Sequence, residues 1–253
     1  MIVPRLRRHI WVAAAIATLL PATASAAELR ILSAGAAKAV LADAIPLFEK
    51  KTGHTVSAQY SPVGPILKRL GDGEQRDVIV LSAETMVEAA EKKLITAGTT
   101  EVGRVGVGVA VKEGAPVPDI ATSDAFKKTL LAAKSIVFID PTRGTSGKHF
   151  ASVLDKLGIA DAVKPKLITK DGGFVAEAVA KGEAEIAVHQ ITEILPVKGV
   201  KLVGPLPADL QKVTIYQAAA TPKARDPEAA KAFLDFLRTP EVRSIASNKG
   251  FME

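Results

Sequence analysis

The chain has 253 residues, no cysteine, and 33 Lys and Arg against 27 Asp and Glu. Without cysteine it carries no disulfide, no thiolate metal ligand and no lipid-modified N-terminal Cys. Three of the basic residues are Arg5, Arg7 and Arg8; without them the balance is 30 against 27. That excess is too small and too evenly spread for a nucleic-acid surface, and no aromatic platform accompanies it.

The three arginines head an apolar stretch, Ile10 to Leu20, which ends in Ala24-Ser-Ala26. This is the order of a secretory signal peptide, so residues 1–26 are expected to be removed and the mature chain to start at Ala27 in the periplasm. The stretch is too short to span a bilayer comfortably. Trp11, the only tryptophan, leaves with it. Sugar sites commonly stack a pyranose on an aromatic ring, so a sugar ligand is disfavoured.

Glu28 to Ser33 reads as a first strand, and Ala36 to Lys51 as a helix with Val40, Leu41, Ala44, Ile45, Leu47 and Phe48 at helical spacing. Thr52-Gly53 ends that helix, and His54 to Tyr60 alternates as a second strand. A Pro/Gly loop, a helix over Ile66 to Leu70 and an apolar strand over Asp77 to Leu81 complete a βαβαβ unit, the pattern of a largely parallel sheet covered by helices. Ser33 to Ala36 and Ser61 to Gly64 then lie along one sheet edge.

A second set of strands runs through Arg104–Val111, Ile136–Ile139, Lys166–Thr169 and Glu185–His189, with helices at Ser123–Ala133, Gly147–Leu157 and Gly173–Lys181. Val213–Ala219 is a further strand, and Asp226 to Leu237 a helix with Asp at its cap and Pro in its first turn. No linker separates the halves. The fold expected is α/β with two lobes, 27–104 plus 217–253 and 105–216, and a ligand cleft between them.

Asp140-Pro-Thr-Arg-Gly-Thr-Ser-Gly-Lys-His149 joins an apolar strand to a helix. Such a junction presents free backbone N–H groups and the positive end of the helix dipole at one point, a socket for an anion. Gly144 and Gly147 are too close for a phosphate loop of the G-x-x-x-x-G-K-[ST] type. His54, His149 and His189 are dispersed singly, with no H-E-x-x-H cluster, and no G-x-S-x-G elbow occurs, so neither a metal nor another cofactor nor a hydrolase triad is expected.

Ile31 to Ala37, Phe48 to Gly53, Asp77 to Ala83, Asp140 to Gly147, Leu157-Gly158 and Ala232 to Phe251, in this order and spacing, resemble a type II periplasmic substrate-binding protein of the molybdate-binding branch over essentially the whole mature length. The resemblance implies two lobes, each a mixed, mostly parallel sheet flanked by helices, closing on a small anion, a monomer that delivers its ligand to an ABC permease. It places the ligand against Ser33, Ala34, Gly35, Ser61, Val63, Arg143, Thr145, Ser146, Gly173 and His189. Molybdate-binding members typically carry hydroxyls in the first two loops. Here Gly35 and Pro62-Val63 stand at those positions, and His189 stands where a tyrosine is common.

A dehydrated tetrahedral anion needs many short donors. Their loss, together with Arg143, which suits a bidentate carboxylate, shifts the expected ligand toward an organic carboxylate. The same branch also resembles aconitate isomerase, a cofactor-independent enzyme that moves a proton and a double bond. In that alternative Arg143 and Ser146 hold the substrate and His189 is the base.

Overall fold

The computed structural model describes residues 26–252; the expected leader, residues 1–26, lies almost wholly outside them. Strand β1 (Glu28–Ala34) passes through a 3-10 turn (Gly35–Ala37) into helix α1 (Lys38–Thr52). β2 (Thr55–Ser61), α2 (Val63–Gly71), β3 (Val78–Ser82) and α3 (Ala83–Glu91) follow. β4 (Thr100–Lys112) leads to α4 (Ser123–Ala132), β5 (Ile136–Ile139), α5 (Thr145–Lys156) and α6 (Ala160–Val163). β6 (Leu167–Lys170), α7 (Ala176–Ala180), β7 (Ile186–Gln190), α8 (Ile191–Ile194) and β8 (Val200–Pro205) come next. β9 (Val213–Ala220), α9 (Pro227–Leu237) and α10 (Pro240–Asn248) close the chain.

The local signals act where expected. α1 buries Val40, Leu41, Ala44, Ile45 and Phe48 on one face and stops at Gly53, whose φ of 77° is left-handed, a conformation glycine adopts without steric cost. Asp226 caps α9 by accepting the N–H of Ala229 at 2.9 Å, with Pro227 in the first turn.

The strand order is β2-β1-β3-β9-β4-β7-β5-β6, with β8 also on β4. β1 pairs in parallel with β2 and β3, and β5 with β6 and β7. β4 is the shared element. Its Thr100–Gly106 half pairs with β9, and its Val107–Lys112 half pairs with β7 and β8. The apolar cores divide the same way. Leu29, Ile31, Leu41, Phe48 and Phe233 belong to one lobe, and Val109, Phe126, Phe150 and Leu154 to the other.

β5 shows why a central parallel strand reads as an unbroken apolar run. Ile136 and Phe138 enter the core beside Phe126 and Phe150, while Val137 and Ile139 enter a second one beside Val175 and Val179. Both faces are buried, so both need apolar side chains. With crossovers on the faces, the loops at the carboxyl ends of β1, β2, β5 and β6 converge where the two lobes meet.

Candidate functional site

Those loops enclose a cavity of about 490 Å³. Ala34 and Gly35 line it from the end of β1, Ser61 and Val63 from the end of β2, and Arg143, Thr145 and Ser146 from the β5–α5 junction. Gly173 comes from the loop after β6, and His189 from the end of β7. Of the ten residues against which the resemblance places the ligand, Ser33 alone is not on the wall: it is fully buried, and its hydroxyl donates to the carbonyl of Ala34 at 2.9 Å. The lobes touch across the cavity, since the Gly64 N–H donates to the Arg143 carbonyl at 3.1 Å.

The junction between β5 and α5 is held tightly from behind. Asp140 accepts the Thr142 N–H at 2.7 Å and the Thr142 hydroxyl at 2.5 Å, and these bonds keep its carboxyl below the usual carboxylate range. Its carbonyl accepts the N–H groups of Arg143 and Gly144 at 3.0 and 3.2 Å. Gly144 takes the cap position of α5 in an extended conformation with no side-chain cap bond. The first N–H groups of α5 are thus free of a side-chain partner at the cavity wall, which is the electrostatic requirement for an anion. Helix α5 starts at Thr145, two residues before the expected Gly147, which puts Thr145 and Ser146 in its first turn.

Thr145 is anchored rather than free. Its hydroxyl is 2.9 Å from the hydroxyl of Tyr216, and the Gln190 side-chain amide donates to it at 3.2 Å. The same amide reaches Thr214 at 3.3 Å. Burial and the neighbouring Glu193 push the Tyr216 phenol well above its ordinary range, so it stays a neutral hydroxyl. Tyr216 thus reaches the cavity from β9, while β7 supplies His189.

Two cations line the wall without a carboxylate partner among the described residues. Arg143 donates from Nε to the carbonyl of Asp171 at 2.9 Å, which fixes the guanidinium against the loop after β6. Lys38, in the first turn of α1, places Nζ 4.8 Å from the Phe174 ring centre and 5.6 Å from that of Tyr60, one aromatic from each lobe. Such contacts orient an ammonium without neutralising it.

Opposite Lys38 stands a residue that the sequence reading missed. Glu193, in α8, is buried at the cavity wall, with its Oε2 3.5 Å from His189 Nε2. A Cβ on Gly35 would overlap Glu193 Oε1, so the glycine makes room for the carboxyl. Burial pushes Glu193 up to about 8, against the pull of Lys38, and pushes His189 down to about 3. Both are therefore uncharged at neutral pH. The Nδ1 of His189 is buried without a hydrogen bond among the described residues.

Lys38, Tyr60, Phe174 and Tyr216 also escaped the sequence reading. The available signal for Glu193 was a lone acidic residue in the apolar stretch from Gln190 to Leu195, four positions after His189. His54 and His149 lie elsewhere: His54 Nδ1 accepts the Ala27 N–H at 3.0 Å, and His149 Nε2 bonds the Leu210 carbonyl at 2.8 Å.

Residues 29–252 match the family model described as bacterial extracellular solute-binding protein. The chain is 31% identical over 233 residues to an aconitate isomerase from a Pseudomonas species, an alignment covering 88% of this chain and 86% of that protein. It is 30% identical over 244 residues to the molybdate-binding protein ModA of Azotobacter vinelandii, covering 93% and 94%. The solved periplasmic molybdate-binding protein of Azotobacter vinelandii shares the fold with a TM-score of 0.76 at 18% identity, over 89% of this chain and 99% of that one. A junction loop that bares a helix start to a cavity between two α/β lobes, in a chain matched along its described length, has one family assignment: the protein belongs to the bacterial extracellular solute-binding proteins.

Proposed function

We propose that the protein works in the periplasm, where it holds a small organic carboxylate between its lobes and delivers it to an ABC permease. The observation that supports this reading is the make-up of the cavity wall. A volume of about 490 Å³ is well beyond what a tetrahedral oxyanion fills, and the wall offers the bared start of α5, two unpaired cations and a neutral carboxyl. Gly35, Pro62 and Val63 give no side-chain donors, although a dehydrated oxyanion needs one on each oxygen. A ligand with more than one carboxylate engages the α5 start and Arg143 at one end and Lys38 at the other.

A thermal-shift series with citrate, malate, cis- and trans-aconitate, molybdate, sulfate and glucose tests this. A carboxylate present at a hundred times its Kd adds about 2.7 kcal/mol, or roughly 5–10 °C for a chain of this size. A response to molybdate or sulfate at lower concentration than to any carboxylate, or to glucose alone, overturns the reading.

The pairing of Glu193 with His189 favours a second reading, isomerisation of aconitate, the activity named for the Pseudomonas relative. That reaction takes a proton from one allylic carbon, shifts the double bond and returns a proton at the other end. It requires an anion clamp and a group able to exchange a proton near neutrality. Proton NMR of cis-aconitate incubated with the protein separates the two readings: trans-aconitate appears if the chain is an isomerase, and binding without conversion marks a carrier.

A further inference from the structure

Glu193 is a buried carboxyl with neither a hydrogen bond nor a Lys or Arg partner among the described residues. His189 Nε2 stands 3.5 Å from its Oε2 and is not hydrogen-bonded to it. The oxygens face the cavity rather than the protein interior, and the place of a Gly35 Cβ is kept empty for them. An ionised carboxylate held this way loses much of its hydration and gains no ion pair or hydrogen bond from the described residues in exchange. A carboxylic acid there has the opposite property: an O–H donor aimed into a site that otherwise collects anion-binding groups.

We propose that Glu193 takes part in ligand binding as a carboxylic acid, donating its O–H to one carboxylate of a di- or tricarboxylate held between the start of α5 and Lys38, so that affinity depends on this proton. The inference rests on the carboxylate reading above and names the group that selects for it. A carboxyl–carboxylate hydrogen bond is charge-assisted and short, hence among the stronger contacts a polar wall can offer. It also discriminates. An ionised Glu193 would repel any anion, and a protonated one offers an ammonium only a neutral carbonyl acceptor, without an opposite charge.

The groups facing Glu193 leave it as the one that changes state near neutrality. From β7 comes His189, held neutral by burial, and from β9 Tyr216, held neutral likewise. From α1 comes Lys38, which favours the ionised form without pairing with it. The 3-10 turn presents only Gly35, Ala36 and Ala37. β4 and β8 approach α8 through Gly108 and Leu202 beside Ile191. The other carboxylates on the wall, Asp171 and Glu177, are on exposed positions of the loop after β6 and of α7.

The test is isothermal titration of citrate and trans-aconitate from about pH 6 to about pH 9.5, with wild type, Glu193→Gln and Glu193→Ala. Wild-type Kd should be flat at low pH and should weaken above about pH 8, approaching about tenfold per unit as the acid form is lost. Glu193→Gln keeps a donor that does not titrate, so its Kd should stay within about threefold of the wild-type low-pH value and remain flat throughout. Glu193→Ala should be flat and about 10–100-fold weaker; should it fail to fold, the Gln profile decides alone.

A wild-type Kd constant to about pH 9.5, or the same slope in Glu193→Gln, overturns the proposal while leaving the carboxylate reading intact. An affinity that rises with pH overturns it as well, since loss of the Glu193 proton would then not weaken binding of the anion. No carboxylate binding by wild type at any pH sinks both readings together.

Discussion

Gly147→Ala tests the tightest piece of backbone packing behind the cavity. A Cβ at this position would overlap the carbonyl oxygen of Ile139 and stand 2.8 Å from its carbon and 3.0 Å from the carbonyl oxygen of Asp140. These are main-chain atoms at the end of β5, a strand buried on both faces, and no rotamer change moves them. Since an ordinary C···O contact is about 3.3 Å, the start of α5 must move away from the strand. Overpacking of this kind costs about 1–3 kcal/mol. The same shift pulls Thr145 from Tyr216 and Gln190, at about 1 kcal/mol for each bond. Alanine's better helix propensity returns about 1 kcal/mol. The expected net loss is about 2–4 kcal/mol, or roughly 4–16 °C in Tm, with weaker stabilisation by citrate because the bared N–H groups move with the helix. Differential scanning calorimetry measures both. Gly71→Ala is the control: it ends α2, nothing lies within 4 Å of its Cβ, and it should be neutral or gain up to about 1 kcal/mol. A Tm for Gly147→Ala within about 2 °C of wild type, with undiminished ligand response, would show that this close approach does not set the position of α5.

Arg143→Ala should weaken citrate binding about 10–100-fold by calorimetry, in line with losing about 1–3 kcal/mol from a charged hydrogen bond at a half-buried site; an unchanged Kd would remove the guanidinium from the site. Acid should destabilise the fold through Glu74, held down to about 2 first by the Arg69 hydrogen bond, and Asp77, which burial alone would raise but which Arg30 and the Arg225 backbone N–H bring below its ordinary range. Depressed carboxylates stabilise above their unfolded pKa values and lose that contribution as pH falls, so Tm should decline from about pH 4.5 toward about pH 2. In Asp77→Asn the decline should be shallower and start from a lower Tm at neutral pH; an unchanged slope would exclude Asp77 as a contributor.

The elements that were legible in the sequence are those whose burial is decided locally. α1 shows its apolar face at helical spacing and its stop at Gly53, and β5 is apolar on both sides because both sides are covered. The apolar alternation marks β4 over Arg104–Val111, but the strand runs from Thr100 to Lys112. Its glycines look like breaks, yet each makes room for a side chain from elsewhere: Phe251 at Gly103, Gln211 at Gly106 and Ile191 at Gly108. Only the tertiary fold reveals that use. α2 begins at Val63 rather than Ile66, because Pro62 serves as its cap and Gly64-Pro65 forms a first turn that reads as loop. β8 contains Gly204 and Pro205, and α10 buries only Val242 and Ala246, so neither has a strong pattern of its own.

The site divides along the same line. Loops at the ends of parallel strands meet by topology, so element order alone puts Gly35 and Val63 along one sheet edge, and the resemblance brings Arg143 and Ser146 to them. Glu193 could not, because its role depends on α8 packing against the 3-10 turn after β1, a contact between segments far apart in the chain. The charge state of His189 was equally hidden, since burial by β4, β7 and α8 determines it rather than any neighbour in sequence. Gly35 links the two halves of the problem. The resemblance leads one to expect a hydroxyl at that position, and the structure shows the space of its Cβ taken by Glu193 Oε1. A hydroxyl-bearing residue at 35 and this carboxyl cannot both stand where Glu193 now stands. The lost donor of the first loop and the protonated carboxyl of α8 are two sides of one exchange, in which a fixed set of neutral donors gives way to a donor whose presence depends on pH.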